Sequence, residues 1–357
     1  MLLTIFIAFI SLIGLIILHE FGHFILAKKF GVKVEEFGIG YPPRIFGKKI
    51  GETIYSINLL PFGAFVKLPG EIERVDDWQS FSQQPILKRV LIVLGGVISF
   101  WIVTMILFSI VFYLGTFMAI SDEDNVPGAR VQIAAVAANS PAKEADLRAA
   151  DIVKELQVGN EKFQINKVQE LQKLIEKYKG QETMLTIERG KEIFQIKAVP
   201  RLSPPTGQGS LGVALVRTAF KSYPWYLAFP KGVSATFQMT VAIVKGYGQV
   251  IKNLIIRQPT GAELMGPVGV FQLLTQASQL GLSYFLQFIG MISLYFAILN
   301  ILPIPALDGG KLLFLTIEAI RKKPVSEKVE QNITAFFFTL LLALMIWVTI
   351  KDIKRIF

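Results

Sequence analysis

Long uncharged stretches alternate with charged ones along this chain. Residues 1–18 carry no charged side chain, and neither do Val90–Ile120, Leu264–Leu307 and Gln331–Ile350. A helix needs about 20 mainly apolar residues to cross a bilayer core about 30 Å thick. The pattern therefore predicts four spans, near 2–27, 90–115, 284–303 and 331–350. Between the second and third spans the period changes. Val131–Val136 and Met184–Ile187 are rich in strand formers, Phe194–Val199 alternates, and Val168, Leu171, Leu174 and Ile175 recur at helical spacing. Residues 128–217 thus predict a small α/β domain inserted between two membrane halves, 1–120 and 264–357. Ile54, Ser56 and Asn58 alternate with Tyr55, Ile57 and Leu59, as in a β-hairpin over 54–67 or an ordinary loop hairpin. Residues 222–262 hold Lys231, Lys245, Lys252 and Arg257 with no acid among apolar side chains. Such a composition suits an amphipathic helix at a membrane interface, or else a helical linker.

Composition narrows the class. A hydrophobic content of 52% and a mean hydropathy of +0.50 exclude an ordinary soluble domain. The net charge of +10 then points to an anionic lipid surface and not to nucleic acid. Ten Lys and Arg fall in Lys28–Arg89 and five more in Lys311–Lys328, which places both segments in the cytoplasm. The N-terminus and residues 121–283 then lie outside. Lys351, Lys354 and Arg355 argue weakly the other way, but the two larger loops agree and put the C-terminus outside too. The first apolar segment has no basic residue ahead of it and no small-residue cleavage site, so it reads as a retained helix and not as a signal peptide. The chain has no cysteine, which excludes disulfides, thiolate nucleophiles and cysteine-based zinc sites.

Its two histidines, His19 and His23, stand four apart with Glu20 between them. On a helix, residues i and i+4 share a face, so both imidazoles can bind one Zn²⁺. Glu20 is rotated by about 100°. It can hold the water that the metal activates, accept its proton and pass it to a leaving amine. Seventeen residues before Leu18 make about 26 Å of helix, so the motif lies near the cytoplasmic side of the bilayer. Two His and a Glu within a span are costly and usually mark function, although polar residues near a helix end can also snorkel.

A catalytic zinc needs a third protein ligand and an open position. Without further His or Cys it must be a carboxylate. Asp308 ends the longest uncharged run, in Asn300-Ile-Leu-Pro-Ile-Pro-Ala-Leu-Asp308-Gly309-Gly310. Pro303 and Pro305 break the helix there, so the carboxylate can be presented from a non-helical segment. Asp308 could instead cap a helix over 311–320, and Glu263 is the runner-up ligand.

These residues resemble the site-2 proteases, intramembrane zinc metalloproteases, and within them the bacterial branch that carries an extracytoplasmic PDZ domain. The resemblance runs over nearly the whole chain: His19–His23, Phe37–Phe46, Pro61–Glu71, Gly266–Val270 and Asn300–Gly310. It implies an α-helical polytopic membrane protein of four transmembrane helices, with a membrane-associated β-hairpin and an inserted α/β PDZ-like domain, in the cell's inner membrane. It implies zinc on His19, His23 and Asp308, Glu20 as catalytic base, and cleavage of single-pass transmembrane proteins of the anti-sigma-factor or signal-peptide-remnant type. Asn300, Tyr55, Ile57, Asn58 and Gly63 would meet the substrate, which adds to the hairpin as a strand. Adding a strand replaces the hydrogen bonds that an unwound helix loses. The PDZ-like domain rests on Ser140-Pro141-Ala142, Asp146-Leu147 and Ala150-Asp151-Ile152, and a peptide ligand would meet Gly209–Gly212. One departure stands out: Phe100 occupies the place where the family usually has Asn. A membrane adaptor without catalysis is the rival reading.

Overall fold

The computed structural model describes residues 2–190, 192–258 and 265–356. Its elements in chain order are α1 (Leu2–Lys29), β1 (Glu36–Ile50), β2 (Thr53–Lys67), α2 (Ile86–Leu114), β3 (Thr116–Ile120), β4 (Arg130–Val136), α3 (Pro141–Glu144), β5 (Ile152–Val158), β6 (Glu161–Gln164), α4 (Val168–Lys177), β7 (Thr183–Arg189), β8 (Glu192–Ala198), β9 (Val213–Lys221), α5 (Trp225–Ile255), α6 (Pro267–Gln279), α7 (Leu282–Ile301), α8 (Asp308–Arg321) and α9 (Glu327–Ile356). They form two compact units. One holds Met1–Ile110, Phe229–Ser278 and Phe285–Phe357; the other holds Val111–Ala228 and Gln279–Tyr284.

The first unit is helical. Among the described residues, five helices are long and apolar enough to cross a membrane: α1, α2, α5, α7 and α9. The protein is a polytopic membrane protein with an inserted β domain. The expected number of such helices was four, and the additional one is α5, from the segment expected to lie on an interface. Its apolar positions have protein partners. Gly232 lies against Ser109 of α2, where a Cβ would be 2.3 Å from Ser109 Oγ. About three turns further on, Ile243 packs with Leu294 and Ile298 of α7 beside Trp101. Contacts this far apart along both neighbours make α5 part of the helical bundle.

The α1–α2 contact is built on glycine. A Cβ on Gly22 would fall 2.2 Å from Gly95 O, and one on Gly95 would fall 2.6 Å from Gly22 O. Any side chain there would force the two backbones apart. At the other end of the chain Asp352 of α9, buried among apolar helices, accepts Gly266 N at 2.9 Å and Gly269 N at 2.8 Å. It thereby satisfies donors at the start of α6 that have no partner within that helix. Cβ atoms on these two glycines would fall 2.8 and 3.0 Å from the same oxygen, which accounts for both glycines of the Gly266–Val270 stretch.

Strands β1 and β2 fold back on themselves. Glu36–Ile39 matches Ile54–Ile57 on one side and Ala64–Lys67 on the other, while Gly47–Ile50 returns along Thr53–Ser56. Ile54–Ser56 is therefore flanked on both sides, and the edge segments are Arg44–Ile50 and Ala64–Lys67.

The second unit is a seven-stranded sheet in the order β3-β9-β4-β5-β7-β8, with β6 beside β5. Its core of Val131, Ile133, Leu147, Val153, Leu156, Leu171, Leu185 and Ile187 is aliphatic. The expected strands and helix appear as β4, β7, β8 and α4. Asp122 accepts Val168 N and Gln169 N at 3.0 and 2.9 Å and so caps α4, while Arg217 donates to the carbonyls of Ser121, Asp122 and Asp124.

Candidate metal centre

His19, Glu20 and His23 occupy adjacent turns of α1. The chain after α7 turns sharply through Leu302–Leu307, with Ile304 N donating to Leu302 O and Leu307 N to Ile304 O. Pro303 and Pro305 cannot continue a helix. The turn closes over the start of α8, where a Cβ on Gly309 would lie 2.0 Å from Leu302 O and one on Gly310 would lie 2.3 Å from Pro305 Cα. Both glycines are therefore required by close approach. Leu307 is the N-cap of α8 and Asp308 its first residue. The Asp308 side chain points to the histidines and does not cap the helix.

His19 Nε2 lies 3.3 Å from Asp308 Oδ2, His23 Nε2 lies 3.5 Å from the same oxygen, and the two Nε2 atoms are 3.3 Å apart. Zinc bonds of about 2.0–2.1 Å at tetrahedral angles put ligand atoms about 3.3–3.4 Å apart. The three atoms already have the spacing that a zinc ion imposes. Asp308 Oδ2 is buried and makes no hydrogen bond among the described residues. A buried carboxylate oxygen without a partner is rare and calls for a cation. The residues present therefore fit zinc. Among the described residues this is the one group of three or more such side chains close enough to hold a metal.

The surroundings hold the two histidines differently. His23 Nδ1 meets Ile92 O at 2.9 Å, an outer hydrogen bond that leaves Nε2 for a metal. His19 Nδ1 is buried without a hydrogen-bond partner among the described residues. Its ring instead stacks on Phe100, with centroids 4.6 Å apart and planes 18° from parallel. Gly96 of α2 faces both rings; a Cβ there would fall 2.3 Å from His23 Nε2 and 2.5 Å from His19 Cε1. Neither Gly96 nor Phe100 was assigned to the site from sequence. The glycine doublet inside an apolar helix was the available signal for the first.

Glu20 lies outside the triangle. It is close enough to the backbone N–H of Val66, on the edge segment Ala64–Lys67, and to His23 and Asp308 to feel all three. The sheet narrows how the expected substrate residues Tyr55 and Ile57 could act, through exposed side chains and not through strand addition. Tyr55 belongs to the segment paired on both sides, where no strand can add, and its ring packs by Phe24 and Phe37. Ile57 is matched to Ile39 and Phe46 on its two sides, so it too is closed to an added strand. Asn58 is buried, and its Nδ2 donates to Gly40 O at 3.2 Å and Ser56 Oγ at 3.2 Å, so that donor serves the sheet. Gly63 precedes the free edge, with φ +103. Asn300 ends α7, half-buried, with Nδ2 donating to Phe296 O at 3.0 Å within its own helix. Glu263 lies outside the described residues.

A helical membrane protein with a half-buried His-His-Asp cluster and an adjacent glutamate defines a membrane metalloprotease. The model of peptidase family M50 matches residues 7–344. The chain belongs to that family, the site-2 proteases, and is a zinc metalloprotease with Zn²⁺ as its cofactor. It is similar to a chain of Clostridium perfringens that carries a zinc metalloprotease name, 31% identical over 347 residues and 97% of each chain. It is also similar to zinc metalloprotease RasP of Oceanobacillus iheyensis, 26% identical over 441 aligned positions covering 99% of this chain and 100% of the other. Regulator of sigma-W protease RasP of Bacillus subtilis is 26% identical over 434 positions, covering 98% of each.

Proposed function

We propose that the chain is an endopeptidase that cuts the transmembrane segment of single-pass membrane proteins, with His19, His23 and Asp308 holding zinc and Glu20 acting as base. The observation that carries this reading is the triangle of 3.3, 3.3 and 3.5 Å with Glu20 beside it. When bound, zinc acts as a Lewis acid toward a peptide carbonyl and lowers the pKa of water. Glu20 takes the proton from the attacking water as its oxygen bonds to the carbonyl carbon. It returns that proton to the amide nitrogen as the C–N bond breaks. The Val66 N–H, close to its carboxylate, would help to orient it for both transfers.

A substrate helix must unwind to reach Glu20, and the edge Ala64–Lys67 offers it replacement hydrogen bonds. That edge carries the Val66 contact, which supports it as the docking strand in place of Tyr55 and Ile57. Gly63 leads into it, and Asn300 would meet the bound strand at the far end of α7. The name of the Bacillus subtilis relative supports a substrate that controls a sigma factor, and a signal-peptide remnant has the same single-span chemistry. The inserted domain would be PDZ-like and extracytoplasmic, excluding substrates with untrimmed outer domains. Strand β3 covers only Arg217–Lys221 of β9, so Val213–Val216, after the Gly209–Gly212 turn, is the strand on which a peptide ligand would pair. The basic segments 28–89 and 311–328 would be cytoplasmic and both termini would lie on the opposite side of the inner membrane, an arrangement of four crossings in which α5 lies against the bundle without crossing.

The test is cleavage of a single-span model substrate by purified full-length protein. Glu20→Gln is expected to lose about 10²–10⁴-fold in rate while keeping its zinc. Equal cleavage by variant and wild type would remove Glu20 from the mechanism.

A further inference from the structure

A ligand histidine ordinarily donates its second ring N–H to a carboxylate, carbonyl or water, which fixes the plane of the ring. His23 does so through Ile92 O at 2.9 Å. His19 Nδ1 makes no contact of full hydrogen-bond geometry among the described residues; the Gly96 carbonyl lies close enough to act on it, but that carbonyl is shared with the Ser99 hydroxyl at 2.6 Å. A weak, shared acceptor leaves the imidazole to be held by its packing. The His23 ring meets it edge-on, with centroids 4.7 Å apart at 84°, and the face of Phe100 covers it at 4.6 Å and 18°.

Phe100 is itself immobilised. It is 2% exposed, in a cluster with Ala8, Leu15, Val97, Ile289 and Ala297. Its carbonyl accepts Thr104 Oγ1 and Ser293 Oγ, each at 2.9 Å, so α7 pins the backbone from which the ring projects. On the far side its ring meets Phe296 at 5.7 Å.

We propose that Phe100 is the positioning residue for His19: its stacked face does what the weak, shared Gly96 contact cannot and aims Nε2 at the metal. This rests on the zinc reading above. It gives a physical role to a residue that departs from the family pattern. A flat, close-packed face restricts tilting of the imidazole without touching either nitrogen. Phe100 touches no reacting group, so its effect passes entirely through His19.

The experiment compares four forms of the detergent-purified full-length protein loaded with zinc: wild type, His19→Ala, Phe100→Leu and Phe296→Leu. Each is followed for zinc loss to a chelator, for Tm, and for kcat and KM on a single-span substrate at saturating zinc. Phe100→Leu keeps an apolar side chain of similar size but has no face to stack. It is expected to release zinc about tenfold faster, with lower kcat and unchanged KM. Phe296→Leu perturbs the same apolar cluster without touching His19 and should retain zinc like wild type. The proposal is overturned if Phe100→Leu holds zinc at the wild-type rate, or if Phe296→Leu loses it equally fast. His19→Ala separates the two readings. Zinc retention by that variant overturns the ligand assignment itself, whereas zinc loss there with normal retention by Phe100→Leu overturns only the role of Phe100.

Discussion

Each of the two units encloses a carboxylate oxygen of an aspartate, and the two are treated in opposite ways. In the sheet unit, Asp151 is 0% exposed and every oxygen is used: Arg189 Nε and Nη2 each donate at 2.7 Å, and Arg148 N donates at 2.8 Å. In the helical unit, Asp308 presents Oδ2 to two imidazole nitrogens and makes no hydrogen bond there among the described residues. Burying a charge costs free energy unless it is paired. A carboxylate completed by its own chain is a structural tie. One left incomplete opposite two histidines is kept for a cation, and the contrast tells the two apart where burial alone does not.

The contrast is broken most sharply at Asp308. Asp308→Asn should lose zinc and lower cleavage by more than about a hundredfold, beyond what loss of an outer partner brings. The fold should persist, because no hydrogen bond to Oδ2 is removed. Metal content, Tm and cleavage of a single-span substrate measure all three. A variant that keeps zinc and activity would mean that another group completes the site.

Asp151→Ala should do the reverse. It leaves the Arg189 guanidinium, held 19% exposed between strands, without its main partner. Removing one member of a buried pair costs about 3–5 kcal/mol, and the partial exposure of Arg189 places this case near about 3 kcal/mol. Limited proteolysis of the full-length protein should open residues 128–217, while zinc retention stays at the wild-type rate. Loss of zinc in this variant would show that the two aspartates are not independent.

Much of this contrast was legible in the chain before any coordinates. His19, Glu20 and His23 announce themselves by spacing, and Asp308 by standing alone at the end of an uncharged run between helix breakers. The strands of the sheet unit follow from alternation. What stayed hidden is non-local. The alternation of Tyr55, Ile57 and Leu59 marks a strand but does not say that Glu36–Ile39 and Phe46–Ile50 flank it, which moves the free edge to Ala64–Lys67. In 222–262, four basic residues without an acid suggested an interface. Gly232 and Ile243, which seat α5 on its neighbours, have no periodic signature of that contact. Phe100 read as a loss, because sequence shows the missing Asn and not the imidazole that the ring covers.

A third aspartate marks the weak end of the scale. Asp146, two residues before Arg148, has φ +57 and a side chain 67% exposed. Arg148 donates to its two oxygens at 3.0 and 2.8 Å, and Arg189 reaches it at 3.4 Å. The hydrogen bonds and charge of Arg148, helped by Arg189, hold its carboxyl below the ordinary aspartate value of 3.8. A depressed carboxylate stabilises the fold above the unfolded value, and that contribution disappears as pH falls through the lower, folded one. Water screens so exposed a pair, so the stabilisation at neutral pH should be only about 0.5 kcal/mol, and less at high salt. Asp146→Asn removes the charge and keeps a side chain that tolerates the left-handed backbone. Wild type and variant should differ slightly in proteolytic opening of the sheet unit at pH 7 and converge below pH 3.8. A difference at pH 7 as large as that of Asp151→Ala would show that Asp146 is a structural tie of the same rank, and the scale from exposed pair to buried pair would not hold.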